Sequence, residues 1–203
     1  MRRAPVASLG FVVFAAMPLG AQDHDRFLSA TEYSVAIPIG DSQRFGSGSW
    51  SGAVWEGRWM DRPHTSIGAL LGFNEFYHRQ SGTFTFPNGA VTGDQYRHLL
   101  AIPFLVTAHW YLTGNRDDPR WYIGGGAGLQ YTEQIFQLGL DQRRRTNWGA
   151  VLVPEMGIAF SAWYATGGIL SVRYHLPSES GAFLGENERR FQYVSISFGF
   201  GYR

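Results

Sequence analysis

The side chains with the most chemical potential fall late in the chain. His175, Ser178 and Glu188, with Glu186 close by, supply a base, a hydroxyl and a carboxylate, which are the parts of a hydrolase triad. A second group is the run Arg143-Arg144-Arg145, with Arg189-Arg190 further on; guanidinium groups suit bidentate contact with phosphate, including that of phosphorylated lipid. A third is the scatter of titratable groups Glu56, Arg58, Arg97, His109, Glu155, Arg173 and His175. Several other chemistries are excluded. The 6 histidines include no His-Glu-x-x-His pair and there is no cysteine, so no zinc motif exists. Gly124, Gly126 and Gly128 are not a phosphate loop, because no Lys-Ser/Thr pair follows them. No cofactor signature is present, and a net charge of +1 offers no case for nucleic acid.

The elements that must position these groups are strands. From Tyr193 to Tyr202, Val194, Ile196, Phe198, Phe200 and Tyr202 share one face and Ser195, Ser197, Gly199 and Gly201 the other. Similar alternation predicts strands over Thr31–Gly40, Trp50–Met60, Thr65–Tyr77, Tyr96–Leu112, Trp121–Thr132, Trp148–Ser161, Thr166–Leu176 and Phe191–Tyr202. Most reach the ~9–11 residues that a tilted strand needs to cross a bilayer. Links alternate between short (61–64, 113–120, 162–165) and long (41–49, 78–95, 133–147, 177–190), the parity of a membrane barrel with short turns on one rim. The fold class is therefore all-β: an eight-stranded antiparallel up-and-down transmembrane β-barrel. Pro103 and Pro154 interrupt strands, and a bulge is expected at each.

In such a barrel the third group of residues lines the lumen. If the turn between the sixth and seventh strands centres on Tyr164, Glu155 stands opposite Arg173 and the two form an internal salt bridge. The glycines at 124, 126 and 128 make room for larger neighbours. Trp59, Trp110, Trp121, Trp163 and Tyr202 sit beside the short turns, and Trp50, Tyr96, Tyr131 and Trp148 beside the long loops, as two aromatic girdles would. Aromatic content of 16% and 26 glycines agree with this, as does a charged fraction of 16% against ~25% in ordinary soluble domains.

Arg2-Arg3, an apolar stretch to Leu19 and the small pair Gly20-Ala21 have the order of a cleaved secretory signal peptide, residues 1–21, leaving 22–203 as the barrel domain. No later stretch is long and apolar enough for a spanning helix, so a membrane crossing must use strands.

The Tyr96–Tyr111 strand and the glycine-rich Trp121–Leu129 strand after it resemble the small outer-membrane β-barrel superfamily, which includes the membrane domain of outer membrane protein A and porin-family barrels. The resemblance covers the mature chain and rests on pattern. It implies a Gram-negative outer-membrane location, contact with membrane lipid and lipopolysaccharide, a monomer, and insertion by the barrel-assembly machinery. Such barrels usually end on an aromatic residue; here Tyr202 is followed by Arg203. The expected function is structural or surface-interacting, with a plugged lumen or a narrow low-flux passage. Two alternatives stand beside it. One is a barrel enzyme like the lipid A deacylases, which carry His-x-Ser-Asn where this chain has His175-x-x-Ser178. The other is a soluble lipocalin-type barrel, which would need its apolar side chains inward.

Overall fold

The computed structural model describes residues 27–45, 47–86, 89–113, 119–139, 141–163, 166–181 and 190–202; the expected signal peptide and Glu188 lie outside them. Eight antiparallel strands close in sequence order into one barrel: β1 (Phe27–Pro38), β2 (Ser51–Arg62), β3 (Thr65–Phe86), β4 (Gly89–Tyr111), β5 (Arg120–Leu138), β6 (Asp141–Trp163), β7 (Thr166–Pro177) and β8 (Tyr193–Tyr202). Closure comes from β1 pairing with β8 over ten residue pairs, Ser29↔Tyr202 to Pro38↔Tyr193. Every edge in the barrel wall is thereby paired, which is the condition for a sheet to sit in lipid.

Side-chain alternation holds around the cylinder, with the apolar set outside. Ile196, Phe198 and Phe200 are exposed, while Ser195 and Ser197 are buried. Ile67, Leu71, Phe104, Val106, Ile123, Leu129, Leu152, Met156, Leu170 and Val172 continue this belt on the other strands. A lipocalin has the opposite polarity, so that alternative is discarded. Trp50, Trp59, Trp110, Trp121, Trp148 and Tyr202 stand on the exterior; the side chain of Trp163 lies outside the described set.

Two expectations are corrected. The long links 78–95 and 133–147 are mostly strand, since β3 and β4 pair as far as Phe86↔Gly89 and β5 and β6 as far as Leu138↔Asp141. Lipid supplies the one-sided apolar signal, so the alternation fades at the bilayer edge while the hydrogen-bonded ladder continues into water. Neither proline carries a bulge. Pairing lapses between Leu71↔Phe104 and Asn74↔Ala101 beside Pro103, and between Leu152↔Leu176 and Glu155↔Arg173 beside Pro154, with unchanged register. Each proline lacks one donor, toward one neighbour, and on its other side Pro103 faces Gln130 and Pro154 faces Gly125 in register. The register shifts that do occur, at Met60/Arg62 and Ser161/Trp163, adjoin the short turns.

The outcome is a lopsided barrel. β3 to β6 run 19–23 residues, whereas β1, β2, β7 and β8 run 10–12. Above the level of Glu75 and Val151, the four long strands stand up as a wall over one side of the mouth.

Candidate functional site

The lumen is filled at its middle by an ionic core. Glu32 comes from β1, Glu56 and Arg58 from β2, His109 from β4, Glu155 from β6 and Arg173 from β7, all buried. Arg173 Nη1 and Nη2 donate to the two oxygens of Glu32 at 3.0 Å each, a bidentate fork. Its Nε donates to Glu155 at 3.0 Å, and Nη2 also reaches Glu56 at 3.2 Å. Arg58 Nη2 donates to Glu56 at 2.8 Å, to Glu155 at 3.0 Å and to the Tyr122 hydroxyl at 3.1 Å. Its guanidinium carbon lies 4.4 Å from the Tyr122 ring centroid. Hydroxyls take the remaining lone pairs: Tyr122 donates to Glu155 (2.8 Å), Thr107 to Glu56 (3.0 Å) and Ser171 to Glu32 (2.9 Å). His109 Nε2 is 3.5 Å from both Glu56 and Glu155, and its Nδ1 is 3.2 Å from Ser66 Oγ. Close approach of β4 to β5 leaves space for this ring only because residue 124 is glycine; a Cβ there would lie 2.6 Å from His109 Cδ2.

Above and below, the lumen is closed by other means. At the short-turn end, Arg120 is buried over the Tyr111 ring (4.2 Å to the centroid) and donates to the Thr113 and Pro63 carbonyls. Toward the long-strand end, Phe76 packs edge to face on both Phe191 and Tyr193, with Leu99 and Ala101 in the same cluster. His175 stacks on Tyr193 at 4.1 Å. The links fold across this mouth. Ser42, in a 3-10 turn over Gly40–Phe45, accepts from the Gln192 amide at 2.8 Å, and Gln134 donates to the Ser180 carbonyl at 2.9 Å.

The sequence-derived residues divide as follows. Glu56, Arg58, His109, Glu155 and Arg173 meet in the core, and Glu155 pairs with Arg173 in register. Arg97 does not join them. It pairs with His78 on the raised wall, 12 residues from His109 and so roughly 40 Å along the strand. His175 stands apart too: its Nε2 is 3.1 Å from Ser195 Oγ and its Nδ1 has no partner. Ser178 sits exposed at the rim with its amide on the Ala150 carbonyl, so the His175–Ser178 pair is not assembled. Glu32 was missed. Its signal was available, because Ala30, Glu32, Ser34 and Ala36 alternate with Thr31, Tyr33, Val35 and Ile37.

Glu56, His109 and Glu155 also bring one potential ligand atom each within 4.8 Å of one another. Arg58 and Arg173 already hold both carboxylates, and a cation there would face two guanidinium charges. The donor set reads as an ion-pair core.

A closed eight-stranded wall, apolar outside and ionic inside, with short turns on one rim, defines the architecture. The chain has the fold of the small outer-membrane barrels. Among solved outer-membrane barrels it is similar to Neisserial surface protein A, at 12% identity and a TM-score of 0.56, over 87% of this chain and 96% of that one. It is also similar to Ail, the attachment invasion locus protein of Yersinia pestis, solved in complex with the heparin analogue sucrose octasulfate, at 10% identity and a TM-score of 0.51, over 87% of this chain and 96% of that one. No protein-family model matches the sequence, and no curated protein does.

Proposed function

We propose that this chain is an integral outer-membrane barrel that is closed to solutes and works through its surface, as a structural and surface-interacting protein. The observation that carries the reading is the ionic core, in which Arg58 and Arg173 lie at 0–1% side-chain exposure. Three carboxylates, two guanidiniums and an imidazole occupy the mid-lumen, where a transported solute would have to pass. An eight-stranded barrel is just wide enough for its side chains to fill. Export by the 1–21 segment, removal of that segment, and insertion as a monomer by the barrel-assembly machinery belong to the same proposal. The long-strand rim faces outward from the cell in this reading, and the short turns face the periplasm.

The test is twofold. Membrane fractionation with cold and boiled gel migration should show a heat-modifiable outer-membrane species. The purified barrel in planar bilayers should pass no ionic current. A soluble, heat-indifferent product would refute the location, and stepwise conductance would refute the closed lumen.

A further inference from the structure

The raised wall of β3 to β6 has two faces with different charge. Strand alternation puts Glu75, Arg79, Asp94, His98, Glu133 and Arg144 on the outward face, which continues the lipid-facing belt. There the cations and carboxylates balance: Arg79 donates to Asp94 at 2.7 Å and Arg144 to Glu133 at 2.8 Å, while His98 Nε2 lies 2.5 Å from Glu75. The inward face, which continues the lumen wall over the mouth, carries Arg97, Arg143 and Arg145. Asp141 is the acidic residue among its described positions, 3.6 Å from Arg143 with both side chains exposed.

Register orders these cations. His78, Arg97, Phe136 and Arg143 form one row across four hydrogen-bonded strands, with Leu99, Gln134 and Arg145 in the adjoining row. Neighbouring strands lie ~4.8 Å apart, so Arg97 and Arg143 flank Phe136 with about 10 Å between their backbones. The partly exposed Phe136 thus stands between Arg97 and Arg143 in the row, and the buried aromatic cluster of Phe76 and Phe191 lies below. Arg145 lies beside the segment after β7, its Nε 3.9 Å from the Cβ position of Gly181, which also touches Asn147.

We propose that this inward face binds a multiply anionic oligosaccharide, with Arg97, Arg143 and Arg145 on its anionic groups and Phe136 against a sugar ring. This rests on the outward orientation of the long-strand rim. Guanidinium forks match sulfate, phosphate and carboxylate oxygens, and an aromatic face takes the apolar C–H side of a sugar. Lipid headgroups offer the same anions, but they border the foot of the outward face, where Arg144 donates to Glu133. The arginine run is thereby split by the strand: Arg143 and Arg145 to the oligosaccharide, Arg144 to the wall itself.

The test uses the full chain in phosphatidylcholine nanodiscs, with insertion checked by cold-gel mobility so that a failed site is distinguished from a failed barrel. The probe is a sulfated maltohexaose, with unsulfated maltohexaose as the control. Wild type should bind only the sulfated sugar, and more weakly as salt rises. R143Q/R145Q should weaken binding at least about tenfold, equivalent to ~1.4 kcal/mol. Arg97→Gln and Phe136→Ala should weaken it severalfold, and Arg144→Gln should leave it within about twofold. Phosphatidic acid built into the disc should not compete. Absence of binding by inserted wild type, an equal loss in Arg144→Gln, or competition by phosphatidic acid would each overturn the proposal.

Discussion

Replacing Arg173 with methionine tests the lumen core most directly. Arg173 makes hydrogen bonds of 3.0–3.2 Å to Glu32, Glu56 and Glu155 and is 1% exposed. Methionine keeps much of the volume and none of the charge. Three buried carboxylates would then face Arg58 alone, with His109 as the remaining basic ring. Removing one partner of a buried ion pair costs ~3–5 kcal/mol, or roughly two to three and a half powers of ten in the unfolding equilibrium. Glu32→Gln perturbs the same core but leaves two carboxylates with two guanidiniums, and its amide oxygen still accepts from Ser171. Its cost should be about 1–2 kcal/mol. The double variant should cost less than the sum of the two, with a coupling of ~0.5–3 kcal/mol. Urea unfolding of the barrel in zwitterionic vesicles, followed by tryptophan fluorescence, measures all three. An Arg173→Met cost below about 1 kcal/mol, or one equal to that of Glu32→Gln, would mean that water solvates these charges and that the core is not a closed network.

Further expectations concern the wall, the belt and the raised hairpin. Gly128→Ala would place a Cβ against the Phe104 carbonyl oxygen and 3.0 Å from Leu105 Cα; it should destabilise by about 2–3 kcal/mol in the same assay, whereas Gly82→Ala, with nothing within 4 Å, should be silent. Val106→Arg, at a position 67% exposed, should cost ~2–4 kcal/mol near the bilayer midplane; a change within about 0.5 kcal/mol, normal for a water-facing site, would count against lipid around the belt. Hydrogen bonds from Ser81 (2.5 Å) and Arg79 (2.7 Å) hold the Asp94 carboxyl below its ordinary value. A depressed folded value means that the contribution is complete above the ordinary carboxylate range and is lost as pH falls through the depressed one. Amide-exchange protection along residues 79–96, taken relative to the intrinsic exchange rate at each pH, should therefore fall on acidification in wild type and not in Asp94→Asn; a wild-type hairpin whose protection is insensitive to acid would contradict this.

What the amino-acid order determined by itself is the phase of each strand. Alternation with a period of two is a local property, and it assigned Ser195 and Ser197 inward and Phe198 and Phe200 outward without knowledge of any partner. A short turn extends that reach by one strand, because register can be counted from it; the Glu155–Arg173 pairing across residues 164 and 165 was legible for this reason. Glu32 was not. Its approach to Arg173 depends on β1 closing against β8, a contact between the two ends of the barrel that no local pattern encodes. The same limit separated His175 from Ser178, three residues apart in sequence but placed inside and at the rim. It also hid the raised wall. Above the lipid both faces of β3 to β6 meet water, hydrophobic contrast vanishes, and only the cross-strand ladder marks those segments as strand. Tertiary structure thus decided which inward charges meet and on which side of a standing wall Arg143, Arg144 and Arg145 fall. Both depend on pairings between distant segments, while alternation reports only the contrast between lipid and lumen.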